Sequence, residues 1–313
     1  MIEFFVNLKR FDVPVGLGGI CSTEDSVEWA ESIVDKSIEL GLGERDELHI
    51  TYLFPESIIS SAWQRLAEHV PEQRRRLSIG SQSVFREDVD PDGNFGAFTT
   101  NLPAAAAKNL HCEWAMVGHS EERQDLTGVL EHYDPLVASD FVSLRRAEDA
   151  VARIMNRQIM AALGRGIKVL YCVGETEEAR GPGPFERQKP RIAEALRRQI
   201  SSELAHVGSH LREGDEFAIG YEPRWAIGPG KDTPDKTYIE YVAGIIQEEV
   251  RCVIGLDPSI VYGGGLKREN AEMIGSATNI TGGLVALTKF TPPIGFDVTE
   301  LSAIVDLFSR QNK

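Results

Sequence analysis

A histidine, a glutamate and an Asn-x-Lys pair stand where this sequence turns from buried strands into loops. His119 follows the run Glu113–Val117, which reads as a strand, and precedes Ser120-Glu121-Glu122, which reads as a helix start. The positive end of a helix favours a neutral imidazole, able to donate to a carbonyl and to exchange protons. A lone histidine is nevertheless more often structural. Glu222 ends the run Phe217-Ala-Ile-Gly-Tyr-Glu222, and Pro223 follows at once. The run reads as a strand covered on both faces, with the proline stopping its ladder at the carboxylate. Trp225-Ala-Ile-Gly228-Pro-Gly230-Lys231 comes next. That loop is too apolar to sit idle in water, and suits a lid that closes on a ligand and excludes solvent. Gly228 and Gly230 would let backbone amides approach the ligand closely. Asn7 and Lys9 lie two apart at the end of the first strand, so their side chains point the same way. They read equally as a polar site or as ordinary exposed residues. Gly263-Gly264-Gly265 suits close approach to a phosphate, or a plain turn.

The elements that carry these residues alternate. Strands are expected at Glu3–Leu8, Leu48–Phe54, Leu77–Gln82, Glu113–Val117, Ile167–Val173, Glu216–Glu222, Ser259–Tyr262 and from Thr281 to Lys289. Between them lie helical patterns. One is capped by Ser22 and Thr23, with Val27, Ala30, Ile33 and Ile38 inward. Others start near Ser57 and Ser120, and run over Ser143–Leu163 and Lys189–Val207. Thr233 opens another, and the last is capped by Thr299. Eight strand-then-helix units with polar or glycine residues at the strand ends specify an α/β protein. Its architecture is a single (β/α)8 TIM barrel spanning residues 1–313, with its site at the C-terminal face. The stretch 124–142, with Leu126, Val129, Leu130, Tyr133, Leu136 and Val137, exceeds an ordinary connection and reads as an insertion.

The bulk numbers agree with such a chain: 313 residues, 42% hydrophobic, with a net charge of −15. That charge argues against non-specific binding to nucleic acid or an anionic membrane surface. It also means that any anion site must be a local positive patch. Cys21, Cys112, Cys172 and Cys252 lack metal-ligand spacing, so no metal is expected and reduced, buried thiols are the default. The N-terminus lacks the pattern of a signal peptide, and no apolar run spans a bilayer, so a cytoplasmic location is expected.

The string Phe217–Lys231 closely resembles the general-base strand and closing lid of the triosephosphate isomerase family. The resemblance implies Glu222 as the base and Gly228 as a backbone donor to substrate phosphate. Asn7-Leu8-Lys9 resembles the family's Asn-x-Lys, with Leu8 where tryptophan is common. There Lys9 would neutralise the developing oxyanion and Asn7 would orient substrate. Gly118-His119-Ser120-Glu121 resembles the Gly-His-Ser-Glu signature, which implies His119 as the electrophile and Glu121 as a buried carboxylate beside the lysine. Cys172-Val-Gly-Glu175 also matches. Three departures stand out. Glu122 replaces an arginine, so an ion pair is missing or rewired. Gly265 replaces a serine, and Ala286-Leu287 replaces a Gly-Gly pair that grips phosphate, with Lys289 a candidate substitute charge. The resemblance implies a cofactor-free isomerase that interconverts dihydroxyacetone phosphate and D-glyceraldehyde 3-phosphate in central carbon metabolism. It also implies a homodimer formed through the loop Phe95–Asn101, which carries Thr-Thr-Asn where the family often has Thr-Gly-Glu. The alternatives are an isomerase for a related sugar phosphate, such as erythrulose phosphate, or a non-catalytic barrel used for binding.

Overall fold

The computed structural model describes residues 1–228 and 230–310. Eight parallel strands close into a barrel in chain order: β1 (Ile2–Asn7), β2 (Leu48–Phe54), β3 (Leu77–Ser81), β4 (Trp114–Val117), β5 (Lys168–Val173), β6 (Phe217–Tyr221), β7 (Ser259–Tyr262) and β8 (Gly282–Val285). β8 pairs back onto β1 with Phe5 opposite Leu284. The expected (β/α)8 architecture is therefore the observed one.

The strands are apolar on both faces because both faces are covered. Period-2 alternation divides each strand between two cores. Phe5, Leu53, Trp114, Met116, Leu170, Cys172, Ala218, Val261 and Leu284 fill the barrel interior, with Phe5 and Trp114 edge-to-face at 4.8 Å. Their neighbours Phe4, Val6, Ile50, Tyr52 and Val169 point outward and pack under the helices. Asn7 has the inward parity of Phe5, and the strand therefore delivers it to the barrel mouth. β3 carries Gly80 against β4, where a Cβ would come within 2.6 Å of the Trp114 carbonyl.

Several boundaries differ from expectation, for local reasons. The first barrel helix is Ser26–Glu39, and its cap is Asp25, whose carboxylate accepts from the amides of Val27 and Glu28 at 2.8 and 3.3 Å. Ser22 and Thr23 do not cap it. Val27 is exposed, and the buried stripe is Trp29, Ala30, Ile33, Val34 and Ser37. Asp235 and Asp297 likewise cap Lys236–Ile254 and Val298–Ser309 in place of Thr233 and Thr299. The helix expected over Lys189–Val207 runs Phe185–Glu203, one turn earlier, with Pro190 inside it. β8 stops at Val285, short of Lys289. The chain there turns into a loop clasped by Thr288, whose hydroxyl accepts from the Asp297 amide at 2.7 Å and donates to its carbonyl at 3.0 Å.

Residues 124–142 form most of the helix Ser120–Tyr133, a short 3-10 turn at Pro135–Ala138, and the first residues of the helix Phe141–Gly164. Leu126, Leu130 and Val137 find the core, whereas Val129, Tyr133 and Leu136 remain exposed. Cys21, Cys112 and Cys172 are buried free thiols as expected, but Cys252, on the helix Lys236–Ile254, is exposed. None of the helices among the described residues is long and apolar enough to cross a membrane.

Candidate active site

Because all eight strands run parallel, their C-terminal ends open on one face, and a cleft of about 1180 Å³ lies there. Asn7, Lys9, His119, Glu121, Glu222, Gly228, Gly265, Ala286 and Leu287 all line it. The structure thus gathers residues from β1, β4, β6, β7 and β8 that the sequence scatters over 280 positions.

Glu222 extends β6 by one residue: its amide donates to the Val173 carbonyl at 2.8 Å. Its carboxylate is almost wholly buried. Oε2 accepts the Ser120 amide at 3.0 Å, Oε1 accepts the Ser120 hydroxyl at 3.3 Å, and His119 Nε2 lies 3.1 Å from Oε1. His119 is the N-cap of Ser120–Tyr133, and its Nδ1 accepts the Glu121 amide at 3.3 Å. A nitrogen that accepts carries no proton, so the network assigns the ring's N–H to Nε2, aimed at the carboxylate and the cleft.

Lys9 adopts a left-handed backbone, φ 45°, a conformation uncommon outside glycine. Three contacts hold it there. Its amide donates to Asn7 Oδ1 at 3.1 Å, its carbonyl accepts from Gln82 Nε2 at 2.8 Å, and its ammonium meets Glu121 at 2.5 Å. Glu121 is beside the lysine as expected, but it is 60% exposed and not buried. It projects from the first turn of its helix, on the solvent side of the cleft.

The rewiring anticipated at Glu122 is visible. Its carboxylate accepts from the Gly118 amide at 2.9 Å, the Ser83 hydroxyl at 2.9 Å and Gln158 Nε2 at 2.7 Å. Arg123 donates to the Gly118 carbonyl at 2.6 Å. Both polar groups of Gly118 are thereby fixed, immediately before His119. Gly118 has φ 78°, and a Cβ there would come within 2.5 Å of the Arg123 guanidinium, so only glycine fits.

The lid is pinned at both ends. The Trp225 indole donates to Glu175 Oε1 at 2.7 Å and lies under the Arg180 guanidinium at 3.8 Å. The hydroxyls of Tyr238 and Tyr221 donate to the same oxygen at 2.6 and 3.3 Å. Burial pushes the Glu175 carboxyl above its usual range, and these donors oppose the shift. At the far end, Thr233 Oγ1 accepts from Asn270.

Two expectations about the anion end are corrected or sharpened. Lys289 does not line the cleft: its backbone bridges Gly295, and the cations on the wall among the described residues are Lys9, Arg224, Lys231 and Lys267. Gly265 has φ 84°, and a Cβ there would meet nothing within 4 Å. The space is open, but a serine would sit in a strained backbone, so Gly265 differs from a serine by more than a hydroxyl. Ser120, Gln82 and Asn270 hold the site together; the sequence marked Ser120 only as a helix start and singled out none of the three as a site residue. Their parts depend on contacts across 102, 73 and 37 positions.

A closed parallel barrel with its cleft at the strand C-termini is the architecture of a (β/α)8 enzyme. The family model for triosephosphate isomerase matches residues 50–293. A triosephosphate isomerase of Aspergillus oryzae is 24% identical over 279 residues, covering 88% of this chain and 94% of that protein. One from Rhizobium etli is 32% identical over 212 residues, covering 66% of this chain and 80% of the other. The crystal structure of triosephosphate isomerase from Bartonella henselae superposes with a TM-score of 0.62 at 19% identity, over 97% of this chain and 99% of that one, a likeness of fold. The chain belongs to the triosephosphate isomerase family, and it is an aldose–ketose phosphate isomerase.

Proposed function

We propose that the protein interconverts dihydroxyacetone phosphate and D-glyceraldehyde 3-phosphate by a cofactor-free proton shift, as a cytoplasmic homodimer. The observation that supports this most is the shared cleft, in which the Glu222 carboxylate lies 3.1 Å from His119 Nε2 and which Lys9 also lines. In this reading Glu222 takes the proton from the carbon beside the ketone and returns it to the neighbouring carbon. His119 Nε2–H donates to the oxygens of the enediolate, and Lys9 balances their charge, with Asn7 orienting the substrate. The lid excludes water, which protects an intermediate prone to losing its phosphate. Gly228 supplies a backbone donor. Phe95, 79% exposed on its loop, is the side chain that a second subunit would cover.

The test is a coupled assay of the purified protein on dihydroxyacetone phosphate beside a panel of tetrulose phosphates. A kcat/KM above ~10⁶ M⁻¹s⁻¹ on the triose is the expected result. The open space at Gly265 favours one second reading, an isomerase for a sugar phosphate one carbon longer. A triose rate several decades lower with clear tetrulose turnover would establish it and overturn the first.

Leu287 lines the wall where a glycine pair would admit the phosphate to the backbone. Leu287→Gly is expected to lower KM for the triose phosphate several-fold, about 1 kcal/mol of restored contact, with kcat little changed. An unchanged KM in steady-state kinetics would show that Leu287 is not what limits the grip.

A further inference from the structure

At the anion end of this cleft the described residues lack the serine hydroxyl and the glycine pair that the substrate reading expects. Gly265 offers no hydroxyl, and the wall formed by Leu284, Val285, Ala286 and Leu287 is apolar. A phosphate monoester carries close to two negative charges, and a chain with net charge −15 adds unfavourable long-range potential. Its affinity must then come from a local cation.

Among the described residues, four side-chain cations line the cleft: Lys9, Arg224, Lys231 and Lys267. The Lys9 ammonium is engaged by Glu121. Arg224 sits in the first turn of the lid, within electrostatic reach of Glu222, Glu178 and Glu148. Lys231 is exposed on the lid. Lys267 is different. It is half-buried, two residues beyond Gly265, and among the described residues its ammonium has no hydrogen bond or ion pair.

Its backbone is also fixed more firmly than that of a surface lysine. Asn270 is buried, and its Oδ1 accepts the Lys267 amide at 2.8 Å. The same side-chain amide donates to the Gly265 carbonyl and to Thr233 Oγ1, each at 3.0 Å. One buried amide therefore holds the glycine turn, the root of Lys267 and the far end of the lid in register. A half-buried lysine with a fixed root and a free head gives up less conformational freedom on meeting an anion.

We infer that Lys267 is the phosphate-binding cation of this site, standing in for the side-chain and backbone donors lost at Gly265 and Ala286-Leu287. The inference rests on the proposed phosphorylated substrate. Asn270 acts behind it as a positioning residue. Lys267 contributes uniform binding, because the phosphate charge is the same in the ground state and the transition state.

The experiment compares Lys267→Met, Lys267→Arg and Lys289→Met with the wild type. Turnover of dihydroxyacetone phosphate is followed in a coupled assay, and binding of inorganic phosphate by calorimetry. For Lys267→Met, KM and the phosphate dissociation constant should each rise about tenfold, with kcat within about twofold and an unchanged melting temperature. Lys267→Arg should keep most of the affinity, and Lys289→Met should match the wild type in both readouts. If Lys267→Met binds inorganic phosphate as the wild type does, or loses kcat with KM unchanged, the inference is overturned. Wild type that binds phosphate through Lys267 but does not turn over the triose phosphate would sink the substrate reading and leave the inference standing.

Discussion

Replacing Glu222 by glutamine is expected to lower kcat on dihydroxyacetone phosphate by about 10³-fold or more, at nearly unchanged stability. The amide has the size of the carboxylate, and its oxygen can still accept from the Ser120 amide, so the buried pocket stays filled. What disappears is a group able to take a proton from carbon. Glu222→Asp keeps the charge but draws it back by one methylene. A displacement near 1 Å from the reacting carbon costs on the order of 10²-fold, so this variant should fall between the wild type and the glutamine form. KM should move little in either case, since the base acts on the transition state and not on the phosphate. Steady-state kinetics with a thermal melt on the same preparations provide the check. A glutamine variant with more than about a tenth of wild-type kcat would mean that the proton leaves through another group.

How much of this was legible in the sequence varied with the range of the interaction. Glu222, His119, Asn7 and Lys9 were readable because each lies at the end of an apolar run, and parallel strands bring such ends to one face. The eight-unit pattern gave the barrel for the same reason. Helix starts were less legible where several capping residues compete within four positions. Ser22, Thr23 and Asp25 can all cap, and the carboxylate that accepts two amides is Asp25. Lys289 was misplaced because β8 was read four residues too long. The Thr288–Asp297 clasp ends the strand, and that contact has no signature in either residue alone. Glu121 was expected buried because the Gly-His-Ser-Glu resemblance implies a buried carboxylate beside the lysine. The pairing is present, but the helix start turns it toward solvent. Ser120, Gln82, Asn270 and the new partners of Glu122 needed the tertiary structure, because each meets a group supplied by another element or turn.

Arg123→Met is expected to produce the largest loss of stability, about 3–5 kcal/mol by chemical denaturation. Arg123 is buried in the helix Ser120–Tyr133 and meets buried Glu203 in a two-pronged pair at 2.6 and 2.7 Å. Burial by itself would lower the guanidinium's pKa, but the adjoining Glu203 carboxylate outweighs it and the pKa is raised. Tyr171 donates to the same carboxylate at 2.7 Å, and its hydroxyl is pushed well up by burial and then by the charge of Glu203. Methionine fills the volume but leaves Glu203 charged and uncompensated in the core, and the cost lies there rather than in a lost attraction. Removing both charges, as Arg123→Met with Glu203→Gln, should therefore recover much of the loss, a coupling that two independent sites would not show. Activity should not recover in parallel. Arg123 also donates to the carbonyls of Gly118 and Cys172, at 2.6 and 2.9 Å. Gly118 sets the backbone that delivers His119 to Glu222, and no residue of the double variant replaces that bond. The double variant should thus melt near the wild type with reduced kcat. If instead it is as unstable as Arg123→Met alone, the pair's charge balance is not what Arg123 contributes. Its carbonyl bonds would then account for both stability and activity.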